Sequence, residues 1–392
     1  MSWSAQTIRR CDLSSASVPL HVAVDATSLI GPRTGVGRFT AEIVNRVAQR
    51  DEVALSAFAV TWRGRGRLRP TLPAGVRFVG PAVPARLVRV LWSRFDMPSA
   101  EWLAGPYDVV HGPNFVVPPA RHAAEVVTVH DLTSVRFPEL CTPDTRQYPA
   151  LIARAVRRGA WIHAVSRFVA EEVQQAFGVE DERVVVIPNG FGPPPSDRQG
   201  FDAAAGRHLA GADRYVLSLG TVEPRKDLPT LVAAFDAVAA TDPDLHLVIA
   251  GPDGWGVEAL TAARGQAIHR RRIHRIGWVT DPQRVALLRG AAVFAYPSLY
   301  EGFGLPPLEA MAVGTPVVTS AAGALPEVLG DAARLVPPHD AEALAGALSD
   351  VLTDADLRTS LIAHGLEQVL LYDWDVTTTG IVDLFRRASE AR

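Results

Sequence analysis

Two glutamates separated by seven residues, in a loop that also holds two glycines, give the sequence its clearest chemical signal. Glu301 precedes Gly302 and Gly304, and a proline at position 306 suits the first turn of a helix that would carry Glu309. Backbone N–H groups at such a helix start can bind phosphate, because glycines let a ligand approach closely. Carboxylates only accept hydrogen bonds and suit hydroxyl-rich ligands such as a sugar or a ribose. The same spacing allows an alternative without a ligand. In that case Glu309 only complements the helix dipole, and Glu301 is a solvated loop residue.

Arg225 and Lys226 form a second candidate group, after a predicted strand that runs into Gly220 and Thr221. Arginine offers phosphate a planar fork, and lysine offers a point charge. An adjacent pair of cations is by itself most often solvated surface. Beside a phosphate-binding loop in the same half of the chain, the pair indicates a diphosphate ligand.

Two further candidates lie in the first half of the sequence. Gly35 and Gly37 stand between the first predicted strand and the first predicted helix, in a segment that matches neither the Walker A nor the dinucleotide pattern. They indicate either a close approach to a ligand or a simple helix-entry turn. His130, followed by Asp131, could hydrogen-bond a reacting sugar or move a proton. The alternative is a satisfied turn histidine beside an aspartate that caps the next segment.

Short apolar runs alternate with segments of helical period. The strands and helices that this pattern predicts must position the candidate residues. Strands that are apolar on both faces and separated by helices predict a parallel sheet covered on both sides. The pattern occurs twice, so we expect an α/β protein with two doubly wound domains whose strand ends face a central cleft. Strands are predicted at 20–24, 53–60, 108–110, 126–129, 161–165, 184–187, 215–219, 245–250, 272–276, 293–296 and 316–319. Helices are predicted at 37–49, 146–158, 168–177, 228–240, 281–290, 306–313, 341–352, 355–370 and 376–389.

Two segments lack a sustained period. Residues 1–17 are rich in serine, and we expect them to be disordered. Residues 193–212 begin with three consecutive prolines, and we expect a linker there. These segments separate a first predicted domain at 18–192 from a second that begins at residue 213.

Composition excludes several functional classes. Of 392 residues, 48% are hydrophobic and 21% are charged, which is the balance of a folded globular protein. A net charge of −3 gives no global attraction for nucleic acid. Cys11 and Cys141, the two cysteines, form neither a disulfide framework nor a zinc site, so we expect a reducing cytoplasmic environment. No apolar run approaches the roughly 20 residues that span a bilayer, and residues 11–17 are too polar for a signal peptide.

The assembled motifs resemble glycosyltransferase family 4, whose members are retaining enzymes of the GT-B fold. The resemblance runs from about Leu20 to the C-terminus. Its most specific part is the pair Glu301 and Glu309 within YEGFGLPPLEAMAVGTPVV, and LGTVEPRKDLPTL, VHDLTSVRFPE, AVSRFVAEEV and IPNGF occur in the expected order. The resemblance implies two Rossmann-like domains that face a central cleft. It places an acceptor-side domain at 18–192, a nucleotide-sugar-binding domain at 213–371, and a C-terminal helix at 372–392 that crosses back to the first domain.

The same resemblance implies roles for the candidate residues. Arg225 and Lys226 would bind the donor diphosphate, Glu309 the ribose and Glu301 the transferred sugar, with His130 near the sugar and the acceptor. Many family members have an arginine where this chain has Thr221, and Arg225 is expected to substitute. The expected catalytic group is His130, Glu301, Arg225 and Lys226. The expected donor-binding group is Gly35, Gly37 beside the diphosphate, Thr221, Arg225, Lys226, Val279 beside the base, Glu301, Gly302, Phe303, Gly304, Leu305 and Glu309.

The segments GTVEPRK, HGPN and FGLPPLEA most resemble those of bacterial mannosyltransferases that use GDP-mannose. The first expectation is therefore retaining transfer of mannose to a glycan or lipid-linked acceptor in polysaccharide biosynthesis. Fixed cations would stabilise the leaving diphosphate, whose oxygen takes the acceptor proton, without a metal or other cofactor. A double displacement on a glutamate is the alternative mechanism. UDP-glucose or UDP-N-acetylglucosamine as donor, an epimerase of the same architecture, and a non-catalytic sugar-nucleotide-binding protein are the alternative functions.

Residues 63–95 offer a place for peripheral contact with a membrane. The arginines of this segment include Arg63, Arg65, Arg67 and Arg69. A helix at 85–95 would carry Arg86, Arg89 and Arg94 on one side and Leu87, Val88, Leu91, Trp92 and Phe95 on the other. Such a pattern could dock on anionic lipid near a lipid-linked acceptor. An ordinary helix with one core face and one solvated face fits the same pattern.

Overall fold

Two parallel β-sheets organise the chain in the computed structural model, which describes residues 18–31, 35–192 and 202–392. The first sheet has the strand order β3-β2-β1-β4-β5-β6-β7, and the second has the order β10-β9-β8-β11-β12-β13. The strands of the first sheet are β1 (Leu20–Asp25), β2 (Val53–Phe58), β3 (Arg77–Phe78), β4 (Val109–Gly112), β5 (Ala124–Val129), β6 (Trp161–Ala164) and β7 (Val184–Val186). Those of the second are β8 (Arg214–Leu219), β9 (Leu245–Ala250), β10 (Ile273–Gly277), β11 (Val293–Tyr296), β12 (Val317–Ser320) and β13 (Ala333–Val336).

Helices cover both faces of each sheet, which is why central strands such as β5 are buried at every residue. In the first half of the chain they are α1 (Gly35–Val47), α2 (Arg65–Leu68), α3 (Ala85–Arg94), α4 (Ala100–Ala104), α5 (Thr133–Arg136), α6 (Tyr148–Arg157) and α7 (Arg167–Phe177). In the second half they are α8 (Ala203–Ala210), α9 (Leu228–Val238), α10 (Val257–Gln266), α11 (Asp281–Gly290), α12 (Leu305–Met311), α13 (Leu325–Leu329), α14 (Ala341–Thr353), α15 (Ala355–Gln368) and α16 (Trp374–Glu390). The predicted pair of doubly wound domains is confirmed.

The strand order changes direction at β1 and β4 in the first sheet and at β8 and β11 in the second. Ligands of open α/β sheets bind beyond the carboxyl ends of the strands at such a switch point. The loops that follow β8 and β11 contain Arg225, Lys226 and Glu301. The topology therefore brings the two predicted groups of charged residues to one edge of the second sheet.

The linker predicted at 193–212 is wrong for its last part. Asp202 caps α8 by accepting a hydrogen bond from the Ala205 N–H, and the helix ends at Gly211 in the left-handed conformation. The α8 helix packs on α11, where the space for a Cβ on Gly206 is filled by the Ala286 carbonyl. An alanine-rich segment of two turns gives little amphipathic signal, which explains the error. Residues 1–17 and 193–201, where the other predictions of disorder and linker fall, lie outside the described residues.

The C-terminal helix crosses back to the first domain, as expected. The Phe191 N–H donates to the Tyr372 carbonyl at 2.8 Å, and Thr377 Oγ1 donates to the Pro188 carbonyl at 2.8 Å. Further along α16, Ile381 and Phe385 are buried in the core of the first domain. The helix thereby ties the end of the second domain to the first.

Candidate active site

Glu301 is the centre of a buried ionic cluster. Its Oε1 accepts hydrogen bonds from Arg225 Nη1 at 2.6 Å and from Lys226 Nζ at 2.5 Å. Ser298 Oγ and the Tyr296 hydroxyl donate to the same oxygen at 2.6 and 2.9 Å. Within the described residues Glu301 Oε2 makes no hydrogen bond, so it is the oxygen that a ligand hydroxyl could reach. The two predicted charged groups, 75 residues apart in sequence, form one site.

Backbone contacts hold the two loops of this cluster together. We call residues 220–227 the cation loop and residues 297–304 the glycine loop. The Leu299 N–H donates to the Arg225 carbonyl at 2.8 Å, and Ser298 Oγ donates to the same carbonyl at 3.2 Å. The cluster geometry is therefore fixed by the fold as well as by ionic attraction.

The charges in the cluster are strongly coupled. Burial alone would raise the pKa of the Glu301 carboxyl, but the adjacent Arg225 and Lys226 charges lower it to about 2. Burial and the neighbouring Arg225 charge lower the pKa of the Lys226 amine. Glu301 is therefore an ionised carboxylate that keeps two cations beside each other in a site with little solvent.

Lys226 is the only lysine among the 39 lysine and arginine residues of the sequence. The other 38 are arginines, so this chain uses lysine at a single position. An ammonium group is compact and donates in three directions, whereas a guanidinium is a wide planar fork. The site thus has a specific use for a point charge, and this signal was available in the sequence.

The glycine loop leads into α12 through Gly304, which adopts a φ of 117°. The α12 helix begins at Leu305 without a side-chain cap, and its next two residues are prolines, which have no N–H. The N–H groups that this helix start can offer to a ligand are therefore those of Gly304 and Leu305. Phe303 is buried against Tyr372, with ring centroids 5.3 Å apart, and its side chain is structural. The backbone, and not the side chains, is therefore what Phe303 and Leu305 can offer to a diphosphate.

Gly302 is needed for a contact between the domains. A Cβ at this position would lie 1.7 Å from the His130 carbonyl oxygen. Ser166 Oγ donates to the Gly302 carbonyl at 2.8 Å, and the Tyr300 hydroxyl accepts from the Leu132 N–H at 2.8 Å. The first domain thus contacts the glycine loop at Tyr300 and Gly302. Sequence reasoning assigned Gly302 to the ligand and missed Ser166 and Tyr300.

Glu309 lies on α12 in a second cluster of charged residues. Its Oε1 accepts from Arg284 Nη1 at 2.8 Å and from Arg38 Nη1 at 3.2 Å, and Arg38 also pairs with Asp281. Burial raises the pKa of Glu309, and the two arginines oppose this shift. Arg38 belongs to the first domain, so the pair with Glu309 crosses the cleft. The motif around Gly37 contained Arg38, but nothing in its spacing indicated this partner.

His130 lies between the rings of Phe39 and Phe115, with ring centroids 5.0 and 5.6 Å away. Its Nε2 is 2.8 Å from the Pro113 carbonyl, which can only accept, so Nε2 carries a proton. Burial lowers the pKa of His130, and the ring is therefore neutral near pH 7. In that state Nδ1 can accept a hydrogen bond but cannot donate one.

The remaining predicted residues lie around these clusters. Gly35 starts α1, and a Cβ there would be 4.0 Å from the Leu305 side chain, so α1 of the first domain faces the glycine loop. Gly37 is buried in α1. Thr221 follows β8, and its side chain lies next to Gly254 in the loop after β9. Val279 follows β10 and is half-buried against the core, two residues before α11.

The helix within residues 63–95 differs from its predicted pattern. Val88 and Trp92 of α3 are buried, but Leu87 and Phe95, predicted on the core side, are 56% and 61% exposed. Arg89, predicted on the solvated side, is half-buried. Among the described residues no helix is long and apolar enough to cross a membrane.

The part of the chain that the structure describes contains no group of three His, Cys, Asp or Glu side chains that could hold a metal ion. The positive charge next to Glu301 is instead supplied by Arg225 and Lys226. What the clusters offer chemically is hydrogen bonding to hydroxyls by the carboxylates and charge stabilisation of an anion by the two cations.

Comparison with known proteins places the chain in a family. The model described as Glycosyltransferase Family 4 matches residues 33–193, and the model described as Glycosyl transferases group 1 matches residues 204–368. The phosphatidyl-myo-inositol mannosyltransferase of Mycolicibacterium smegmatis is 33% identical over 299 residues, which cover 74% of both chains. The O-antigen chain mannosyltransferase B of Escherichia coli is 29% identical over 383 residues, or 91% of this chain and 96% of that one.

The fold is also similar to that of HepE from Anabaena, solved in complex with UDP and glucose. The TM-score is 0.72 at 17% identity, over 93% of this chain and 98% of that chain. Two doubly wound domains that face each other across a cleft define a GT-B enzyme. The chain belongs to glycosyltransferase family 4, and it is a glycosyltransferase similar to bacterial mannosyltransferases.

Proposed function

We propose that this enzyme transfers mannose from GDP-mannose to a hydroxyl of a glycan or lipid-linked acceptor, with retention of the anomeric configuration and without a metal ion. The observation that carries the proposal is the cluster in which Arg225 and Lys226 converge on Glu301 between two strand ends. The mannosyltransferase names of two relatives support the choice of sugar.

Cleavage of the bond between the sugar and the phosphate leaves negative charge on the departing diphosphate. Arg225 and Lys226 would stabilise that charge more in the transition state than in the ground state. The N–H groups of Gly304 and Leu305, at the start of α12, and the backbone near Gly37 would bind the same diphosphate. The carboxylate of Glu309 would accept hydrogen bonds from the ribose hydroxyls, and Val279 would lie beside the base.

Glu301 would hold the transferred sugar through Oε2, because its Oε1 already accepts four hydrogen bonds. A carboxylate whose pKa is about 2 is a weak base, which favours positioning over nucleophilic attack. The leaving phosphate oxygen would then take the acceptor proton on the same face of the sugar. His130, neutral and with Nε2 bound to Pro113, would accept a hydrogen bond from the sugar at Nδ1.

A donor screen tests this proposal. Purified enzyme is incubated with GDP-mannose, UDP-glucose and UDP-N-acetylglucosamine, and nucleotide release and thermal shift are measured with EDTA and with Mg²⁺. We expect the largest response with GDP-mannose, unchanged by EDTA, and an α-linked product by NMR. Preference for a UDP-sugar would refute the donor, activity restored only by Mg²⁺ would refute metal independence, and an epimerised donor without transfer would identify an epimerase.

We further propose that the first domain docks on anionic lipid at the cytoplasmic face of a membrane. Leu87 and Phe95 are exposed beside Arg86 and Arg94, so apolar and cationic side chains share one surface. Flotation with vesicles of phosphatidylglycerol should recover the protein at low salt, and Leu87→Glu with Phe95→Glu should abolish recovery. Leu370→Glu, at a more exposed leucine of the second domain, is the control. Equal recovery of all variants would contradict docking.

A further inference from the structure

A pocket lies at the carboxyl ends of β1 and β4 in the first domain, outside the residues assigned above. Its polar wall is formed by Asp25, Arg89, Asn114 and Tyr148, and its apolar wall by residues that include Trp92 and Val116. The polar residues come from four separate segments of the chain. A concave site that combines an apolar wall with a few convergent polar groups is typical of a small-molecule site.

The polar side chains of this pocket have unused hydrogen-bonding capacity. Asp25 Oδ1 accepts from the N–H and the hydroxyl of Thr27, the former at 2.8 Å, but Oδ2 makes no hydrogen bond within the described residues. Arg89 has one distant ion pair, with Asp144 at 3.9 Å. The Tyr148 hydroxyl and the Asn114 amide also make no side-chain hydrogen bond among the residues that the structure describes. These groups can therefore form hydrogen bonds with a ligand in the pocket without breaking one within the protein.

The pocket is one aromatic ring away from His130. Phe115 stacks on Tyr148 at 4.8 Å between ring centroids and meets His130 edge-on at 5.6 Å. Phe115 holds a φ of 60°, which non-glycine residues rarely adopt, and its N–H donates to the Thr128 carbonyl at 3.0 Å. The backbone of His130 in turn touches Gly302 of the glycine loop. A molecule in the pocket would therefore lie beside the place where the donor sugar is expected.

The charges of the pocket indicate what it binds. The Asp144 carboxylate lies 3.9 Å from the Arg89 guanidinium and offsets its charge, and burial raises the pKa of Asp25. Whether Asp25 is neutral or ionised, the pocket therefore has no excess positive charge for attracting an anion. Carboxylate oxygens, a guanidinium, a phenol and an amide together match a ring of hydroxyl groups. The apolar wall matches the C–H face of a sugar. A phosphate-bearing acceptor would place its anion against the unpaired oxygen of Asp25.

We propose that this pocket binds the acceptor as an uncharged pyranose residue of a glycan, with Asp25 Oδ2 accepting a hydrogen bond from a ring hydroxyl. The inference rests on the proposed function and deepens it, because it selects a neutral sugar over a phosphorylated polyol as the acceptor. Asp25, Arg89 and Tyr148 are then acceptor-binding residues that take no part in binding the nucleotide.

The test compares acceptor and donor measurements on the same variants. Methyl α-D-mannopyranoside is the neutral probe, and myo-inositol 1-phosphate is the charged one. Asp25→Asn replaces the accepting oxygen with a donor, and Ala85→Phe fills the pocket from the start of α3. Asp51→Asn, at an exposed aspartate of the same domain, is the matched control.

We expect Asp25→Asn to raise the KM for the neutral probe about tenfold, as for the loss of one hydrogen bond. The KM for GDP-mannose, and its slow hydrolysis without acceptor, should stay within about twofold, because the donor site is intact. Asp51→Asn should match the wild type in every measurement. An unchanged acceptor KM in both pocket variants, or a preference for the phosphorylated probe, would overturn the proposal.

A binding measurement separates this proposal from the donor assignment. Saturation-transfer NMR of the neutral probe requires no turnover and reports contact with the wild type, Asp25→Asn and Ala85→Phe. A signal in the wild type that Ala85→Phe removes supports the pocket even if every donor tested were inactive. An equal signal in wild type and Ala85→Phe, or no signal in the wild type, contradicts it.

Discussion

The two sides of the cleft satisfy their polar groups in different ways. In the second domain Glu301 Oε1 accepts four hydrogen bonds from the protein itself, and Glu309 has two arginine partners. In the first domain Asp25 keeps one oxygen without a partner, and Arg89 has only a distant one. A saturated cluster is preorganised for charge that develops during a reaction. A pocket with spare hydrogen bonds is suited to select a neutral ligand.

Substitutions in the two domains should differ in how strongly they reduce activity. Charges in the second domain are coupled to each other, so single substitutions there should have large effects on turnover. The pocket groups of the first domain share no hydrogen bond with one another, so the loss of one of them should weaken one binding step. The contact of Gly302 with His130 joins the two sides and should affect both.

Lys226→Ala should have the largest effect. It removes the donor that we propose stabilises the leaving diphosphate, and we expect kcat to fall about 100- to 1,000-fold with an unchanged circular dichroism spectrum. Lys226→Arg should lose nearly as much, because a planar fork cannot replace the point charge between Glu301 and Tyr296. Arg334→Lys, at an exposed arginine, is the control and should be neutral. Near wild-type turnover of Lys226→Arg would show that the single lysine has no special use.

Glu309→Ala should abolish most activity while leaving the fold intact. The substitution removes the carboxylate that we propose binds the ribose. Arg38 and Arg284 lose one of the two partners that they share and keep Asp281. We expect kcat/KM for the donor to fall about 100-fold, mainly through KM, in initial-rate measurements. If only the KM for the acceptor rose, Glu309 would belong to the acceptor site and not to the donor site.

Gly302→Ala tests the contact between the glycine loop of the second domain and His130 of the first domain. The new Cβ meets the His130 carbonyl, so the glycine loop and the first domain must move apart. We expect turnover to fall about tenfold or more, while nucleotide affinity in calorimetry changes less. Gly346→Ala on α14, where a Cβ meets nothing within 4 Å, should leave both unchanged. Equal activity of the two variants would mean that this contact is dispensable.

The smallest predicted effect is a pH dependence of stability. The pKa of Glu301 is about 2 in the folded protein against an ordinary value of 4.5, so its stabilising charge is fully present above pH 4.5. That contribution is lost as the pH falls from about 4.5 towards 2. The free energy of unfolding, measured with urea, should therefore differ most between wild type and Glu301→Gln near pH 5, and the difference should shrink by pH 2. A constant difference would contradict the ionic cluster.

The sequence predicted much of the donor side, because its residues are close together in two short segments. Arg225 and Lys226 are adjacent, and Glu301 and Glu309 share one loop and helix, so residue type and spacing carried the signal. The structure joined them through the parallel order of β8 and β11. Their roles toward a bound donor stay predictions.

The parts that the sequence did not predict depend on contacts between distant segments. Asp25, Arg89, Asn114 and Tyr148 each stand alone in the sequence, and only the sheet order brings them to one pocket. The strand β13 was missed because four residues with an exposed arginine carry no clear alternation, although it pairs with β12. The contact of Gly302 with His130 was missed for the same reason, since it requires both domains.

The most direct test of the donor site is a crystal structure of the enzyme with GDP. We expect the β-phosphate within about 3 Å of both Lys226 Nζ and the Arg225 guanidinium, at the start of α12. Glu301 Oε2 should face the space beyond that phosphate, where the sugar would be attached. A diphosphate bound elsewhere, with both cations still on Glu301 alone, would contradict the assignment.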